Sequence, residues 1–178
     1  MPPWFLYAAV IALVAPMFGL ILTRAAVFGR IERIVIYAFV VFAIVAMILS
    51  LERLIYTIFA PTNLMGGNFL LASAVEIWII NVISFGLLYW QIDRGGPEDR
   101  ASGHPKPPDV IFPELPEESN RIYRFIDYLF FAYTTSTAFS PTEMFPRTTR
   151  LKILMMVQST ISIITIIVVA SRAINILK

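Results

Sequence analysis

Four stretches of this chain are apolar for long enough to cross a hydrocarbon core, and between the third and the fourth lies one that is not. The short stretch, residues 125–137, is aromatic. A Thr/Ser-rich tip, two prolines (Pro141 and Pro146) and the last long apolar run follow it. A helix over the short stretch is about 20 Å long at 1.5 Å per residue, against a core of about 30 Å. Pro141 and Pro146 forbid a continuous helix through the tip. A turn at membrane depth must be buried in protein or line water, because lipid offers its backbone no hydrogen bonds. These constraints describe a re-entrant hairpin. The competing arrangement is a helix lying flat in the interface. Residues 129–133 argue against it: they are apolar almost all round and lack the basic face that such a helix needs.

Composition places the whole chain in the same setting. Of 178 residues, 58% are hydrophobic and only 15% charged, and the hydrophobic ones come in blocks. A soluble domain of this length cannot hide so much apolar surface, so a multi-pass protein of the cell membrane is expected, with the lipid bilayer as its surroundings. There is no cysteine, which excludes disulfides, thiolate metal sites and cysteine nucleophiles. The single His104 sits in a Pro/Gly-rich loop and cannot make a metal site alone. No metal and no cofactor are expected. A net charge of +2, scattered along the chain, gives no reason to expect nucleic acid as a partner.

In order, the expected spans are residues 4–22, 34–49 (extendable to 59), 69–90 and 151–176. No basic residue precedes the first span, whose nearest charge is Arg24, so it is expected as a retained helix and not a signal peptide. The expected fold is an all-α membrane protein with four transmembrane helices and a re-entrant pore-loop half-helix between the third and the fourth. Residues 1–67 hold two N-terminal spans. Residues 68–178 hold a pore-like unit: outer helix 69–90, Pro-rich linker 91–121, re-entrant helix and tip 122–146, inner helix 151–176. The linker is expected to be extended and water-exposed, with residues 110–112 docking locally on a neighbour.

Two polar patterns interrupt the apolar spans. On the third, Ser73, Glu76, Ile80 and Ser84 share a face, with Asn81 at its edge, and that face should point inward. Glu76 is a functional carboxylate or, more simply, the buried partner of Arg172 or Arg53. The expected intramembrane charge pair is Glu76 with Arg172. On the last span Gln158, Ser162, Thr165, Val169 and Arg172 recur at three- and four-residue steps. That stripe reads either as helix–helix packing or as the lining of a pore. An intramembrane enzyme is not expected, because no second acid and no histidine lies at the depth of Glu76.

Residues 128–150 resemble the pore region of the potassium-channel superfamily. There an aromatic helix ending in Thr-Thr-x-Thr-Thr leads into Val-Gly-Tyr-Gly-Asp, a proline and the inner helix. Thr134, Thr135 and Thr137 match the helix end. Phe139 stands at the Val and Ser140 at the first Gly. Pro141 stands at the Tyr, Thr142 at the second Gly, Glu143 at the Asp and Pro146 at the later proline. The resemblance implies a homotetramer around an axis. It also implies a filter or pore tip over Thr137, Ala138, Phe139, Ser140, Pro141, Thr142 and Glu143, and passage of monovalent cations. The filter departs from the family's pattern: Ser140 and Thr142 resist the positive φ that glycine allows, and Pro141 fixes φ near −65°. Either the hydroxyls of Thr137, Ser140 and Thr142 meet the ion with Glu143 as an acidic ring, or the fold persists without selective conduction. The chain also resembles a group of bacterial multi-pass membrane proteins that share a pattern like I-W-I-I-N-V, Y-W-x-x-D-R-G-G-P and a tip like T-x-A-F-S-P-T, carried here by residues 77–97 and, as T-A-F-S-P-T, by residues 137–142.

Two functions follow as expectations. One is a tetrameric pore-loop cation channel with an atypical filter. The other is a non-conducting membrane scaffold or partner subunit that keeps the channel fold. Orientation divides the arguments. Three basic residues (Arg53, Arg172, Lys178) fall on one side and eleven on the side of the linker and tip, which the positive-inside rule puts in the cytoplasm. The channel resemblance puts the tip outside.

Overall fold

A computed structural model describes residues 29–59, 67–102, 106–112, 123–137 and 144–176. The expected first span, residues 4–22, and the tip residues 138–143 lie outside them. The chain is mostly helical. Helix α1 is Gly29–Phe59 and α2 is Gly67–Ile92, followed by a 3-10 turn at Asp93–Gly95. Next come the short α3 (Pro97–Ala101), strand β1 (Val110–Ile111), α4 (Phe125–Ser136), strand β2 (Phe145–Pro146) and α5 (Thr149–Ile176). Among the described residues, three helices are long and apolar enough to cross a membrane: α1, α2 and α5.

Helices α1 and α5 each bury one stripe and expose the other face, whereas α2 is enclosed nearly all round from Ile80 to Ile92. On α1 the stripe is Ile36, Phe39, Val40, Ala43, Met47 and Leu51, at helical steps of three and four. Its upper part meets Leu87 and its lower part meets Ala74 and Ile77, so α1 and α2 run antiparallel. The outward residues are apolar too: Val41, Phe42, Val45, Ile48 and Leu49 on α1, and Ile153, Met156, Ile163, Ile166 and Ile167 on α5. Apolar surface this continuous has its natural solvent in lipid.

Helix α4 lies against both α2 and α5. Phe125 meets the Trp90 ring at 6.1 Å, Leu129 touches Gly86, and Tyr133 meets Trp78 at 5.6 Å. Falling numbers on α2 against rising numbers on α4 make the pair antiparallel. Gly86 permits the approach: a Cβ there would stand 3.2 Å from the Leu129 Cα. Phe131 and Tyr89 fill the middle of the contact, both fully buried, with ring centroids 5.2 Å apart.

Within the linker, Lys106, Pro107 and Ile111 are exposed, and residues 110–112 are the patch expected to dock on a neighbour. Residues 106–112 do more than that patch alone. They fold across the ends of α2, α4 and α5, and Asp109, Val110 and Phe112 are buried. Val110 pairs with Pro146 and Ile111 with Phe145 in a two-stranded antiparallel ladder, which an all-α reading did not include. Two-residue strands carry too short a pattern to stand out from a proline-rich sequence.

Candidate functional site

Helix α4 starts with its own cap. The Arg124 N–H donates to the Asp127 carboxylate at 2.7 Å, so an acid sits in the positive first turn. Twelve residues later the helix ends with carbonyls that have no partner inside it. Four hydroxyls also fold back on carbonyls of the last turns, which already accept the helix's own N–H groups. Thr134 and Thr135 donate to the Phe131 carbonyl at 2.9 and 2.8 Å. Ser136 and Thr137 donate to that of Tyr133 at 2.8 and 3.0 Å. Thr137 Oγ1 also reaches the Thr134 carbonyl at 3.3 Å, one of those that the helix itself leaves without a partner.

Two carbonyls of this end, those of Ala132 and Thr135, are met from α5 as well. Gln158 Nε2 donates to the Ala132 carbonyl at 2.8 Å, and Ser159 Oγ donates to that of Thr135 at 3.2 Å. The Gln158 amide is oriented from its other side by the Tyr89 hydroxyl, which donates to Oε1 at 2.7 Å. Asn81 Nδ2 donates to Ser162 Oγ at 2.8 Å and to the Gln158 carbonyl at 3.3 Å. One polar cluster thus joins α2, α4 and α5 in an otherwise apolar interior.

Gln158 and Ser162 are fully buried and Thr165 nearly so, enclosed by helices of the same chain. Thr165 donates back to the Ile161 carbonyl at 2.8 Å. These hydrogen bonds are those of helix packing, one of the two readings that the spacing of the stripe left open. The side chains of Val169 and Arg172 lie outside what is described, and the expected Glu76–Arg172 pair with them; Glu76 itself is half-buried. Of the expected tip, Thr137 is placed, at the turn that ends α4. Ala138, Phe139, Ser140, Pro141, Thr142 and Glu143 lie outside the described residues.

A second cluster sits where α2 ends and α5 begins. Asp93 is fully buried. One carboxylate oxygen accepts the Asp109 and Val110 N–H groups at 2.7 and 3.1 Å, and the other accepts the Tyr128 hydroxyl at 2.7 Å. Asp109, also fully buried, accepts Thr148 Oγ1 at 2.6 Å and is gripped by Arg150 through Nε at 2.7 Å and through Nη2. Burial would raise the Asp109 carboxyl. The hydrogen bonds from Arg150 and Thr148, with the Arg150 charge, outweigh it and hold the group below its ordinary range. The Arg147 N–H donates to the Asp109 carbonyl at 2.8 Å.

Arg100 closes this cluster from the outside. Its Nη1 donates to the Trp90 and Asp93 carbonyls at 3.0 and 2.6 Å, placing a cation at the negative end of α2. The guanidinium also lies over the Trp90 and Tyr128 rings, 5.7 and 5.4 Å from their centroids. Burial lowers its pKa from the usual value, against the opposing influence of Tyr128 and Asp93. The chain reaches this geometry by a left-handed turn at Arg94, Gly95 and Gly96, with φ of 52°, 84° and 97°. That is the physical content of the D-R-G-G-P pattern.

Sequence reasoning did not single out Asp93, Asp109, Tyr128 or Arg150 as parts of one site. The available signal was an acid directly after an apolar span, followed by two glycines, and a second acid directly before an apolar triplet. No family model, curated protein or solved structure matches the chain.

Proposed function

We propose that this chain is a channel-like membrane protein in which residues 125–148 form a hairpin that dips into the bilayer and leaves on the side it entered. One observation carries the reading. A twelve-residue helix begins level with the end of α2, finishes against Ser159 ten residues into α5, and the chain is back at the strand pair by Phe145. Six residues lie between Thr137 and Met144, and a chain can reach about 3.3 Å per residue. A hydroxyl-rich tip held at that depth needs a wet or protein-lined space beyond it. One hairpin lines only part of an axis, so four copies surround it, as the potassium-channel resemblance implies. Monovalent cations pass the tip through the hydroxyls of Thr137, Ser140 and Thr142, and Glu143 concentrates them at the mouth.

The test is conduction by purified protein in planar bilayers. Cation currents are expected, and Glu143→Gln should lower single-channel conductance. Well-folded tetramer in silent bilayers would overturn conduction.

A second reading, a non-conducting scaffold or partner subunit, is favoured by the outward face of α5. Ile153, Met156, Val157, Ile163 and Ile167 are exposed there, while its polar stripe is turned inward. A constriction lined by such residues dewets. Silent bilayers decide for this reading.

A further inference from the structure

Residues 106–112 touch every part of the hairpin's base. The Asp109 and Val110 N–H groups are fixed on Asp93 at the end of α2. Phe112 stacks on Tyr123 at 4.1 Å and meets Tyr128 edge-on at 5.3 Å, beside the start of α4. Val110 and Ile111 pair with Pro146 and Phe145, and the Asp109 carboxylate takes Thr148 and Arg150 at the start of α5.

The two limbs of the hairpin depend on this segment unequally. The descending limb, α4, is also held by α2 through Gly86, Tyr89 and Trp90, and by α5 through Gln158 and Ser159. For the returning limb, residues 144–148, the hydrogen bonds described to other segments run to the strap: the β1–β2 ladder, Arg147 N–H to the Asp109 carbonyl, and Thr148 to the Asp109 carboxylate. Taking the hairpin reading as its premise, we infer that residues 106–112 are a strap whose Asp109 carboxylate is the release point of the returning limb. Loss of that one group leaves residues 144–148 with the β1–β2 ladder and the Arg147 bond alone, so they open more often while α4 stays seated.

The absence of cysteine allows a direct test. Met144 in the returning limb and Thr135 in α4 are each 6% exposed. Met144→Cys and Thr135→Cys are made singly, and alkylation by a water-soluble maleimide is timed in reconstituted vesicles. Both thiols should react slowly while the strap is intact. With Asp109→Asn the rate at Met144→Cys should rise roughly tenfold, by local opening, and the rate at Thr135→Cys should not change. Thr148→Val, which removes one hydrogen bond and leaves the charge pair, should give a smaller rise with the same restriction. Unchanged rates at both sites, or rates that rise together in both variants, overturn the strap. Fast labelling of Thr135→Cys with the strap intact overturns the hairpin premise instead. Silence in bilayers counts against conduction alone and leaves the labelling result standing.

Discussion

The Gln158 amide accepts a hydrogen bond from Tyr89 and donates one to the Ala132 carbonyl. Leucine there keeps the volume, strands the buried Tyr89 hydroxyl and takes from the Ala132 carbonyl its second hydrogen bond, while that carbonyl keeps the Ser136 N–H inside α4. A stranded buried group costs about 1–3 kcal/mol, so Gln158→Leu should destabilise the fold by about that much. Tyr89→Phe should cost about 1 kcal/mol, and the pair should be non-additive in a double-mutant cycle followed by denaturant titration in micelles. Additive costs would mean that the two groups do not share one bond. Gly95 makes a different kind of demand. Its φ is +84°, and a Cβ there would run into the Asp99 carboxylate. Gly95→Ala should cost about 1 kcal/mol or more, read as a lower melting temperature.

Helix α4 is too short to be stable on its own and depends on what meets it. Gly86 sets how closely it approaches α2. Gly86→Ala forces Leu129 outward and should cost about 1–3 kcal/mol, with the Phe131–Tyr89 contact loosened. Tyr89 fluorescence is masked by three tryptophans, so hydrogen exchange of the α4 amides is the better reporter. The strap has its own pH signature. Asp109 titrates below the ordinary carboxylate range, so its contribution is present above the unfolded-state value and is lost as pH falls through the lower folded value. Melting temperature should therefore be steady from neutral pH down through about pH 5 and fall only in stronger acid. Asp109→Asn should remove the part of that acid-side fall that Asp109 contributes.

Across the whole molecule, charge gathers at one end. Lys106, Arg124, Arg147 and Lys152 are exposed at the end that carries the strap, where Arg94, Arg100 and Arg150 also lie. By the positive-inside rule that end is the expected cytoplasmic side, opposite to what the channel resemblance implies. On intact cells an impermeant thiol reagent should leave Ser102→Cys unlabelled, and permeabilised cells should label it. Labelling of intact cells would reverse the orientation and match the channel resemblance instead. Ser102 is an exposed turn residue, so its substitution leaves both polar clusters alone.

Length and hydropathy were enough to place α1, α2 and α5, because a bilayer leaves a chain few ways to bury its backbone. They also marked residues 125–136 as a helix too short to cross, and the Thr/Ser run as its end. The direction in which polar side chains point was not legible in the same way. The spacing of Gln158, Ser162 and Thr165 puts them on one face of α5, and a face has no partner until another helix is laid against it. Asp93, Asp109 and Arg150 lie up to 57 residues apart in sequence, and no local pattern joins them. The sequence by itself determined which segments must be helical and apolar. Tertiary structure decided which polar groups meet, because a hydrogen bond is fixed by distance in space and not by spacing along the chain.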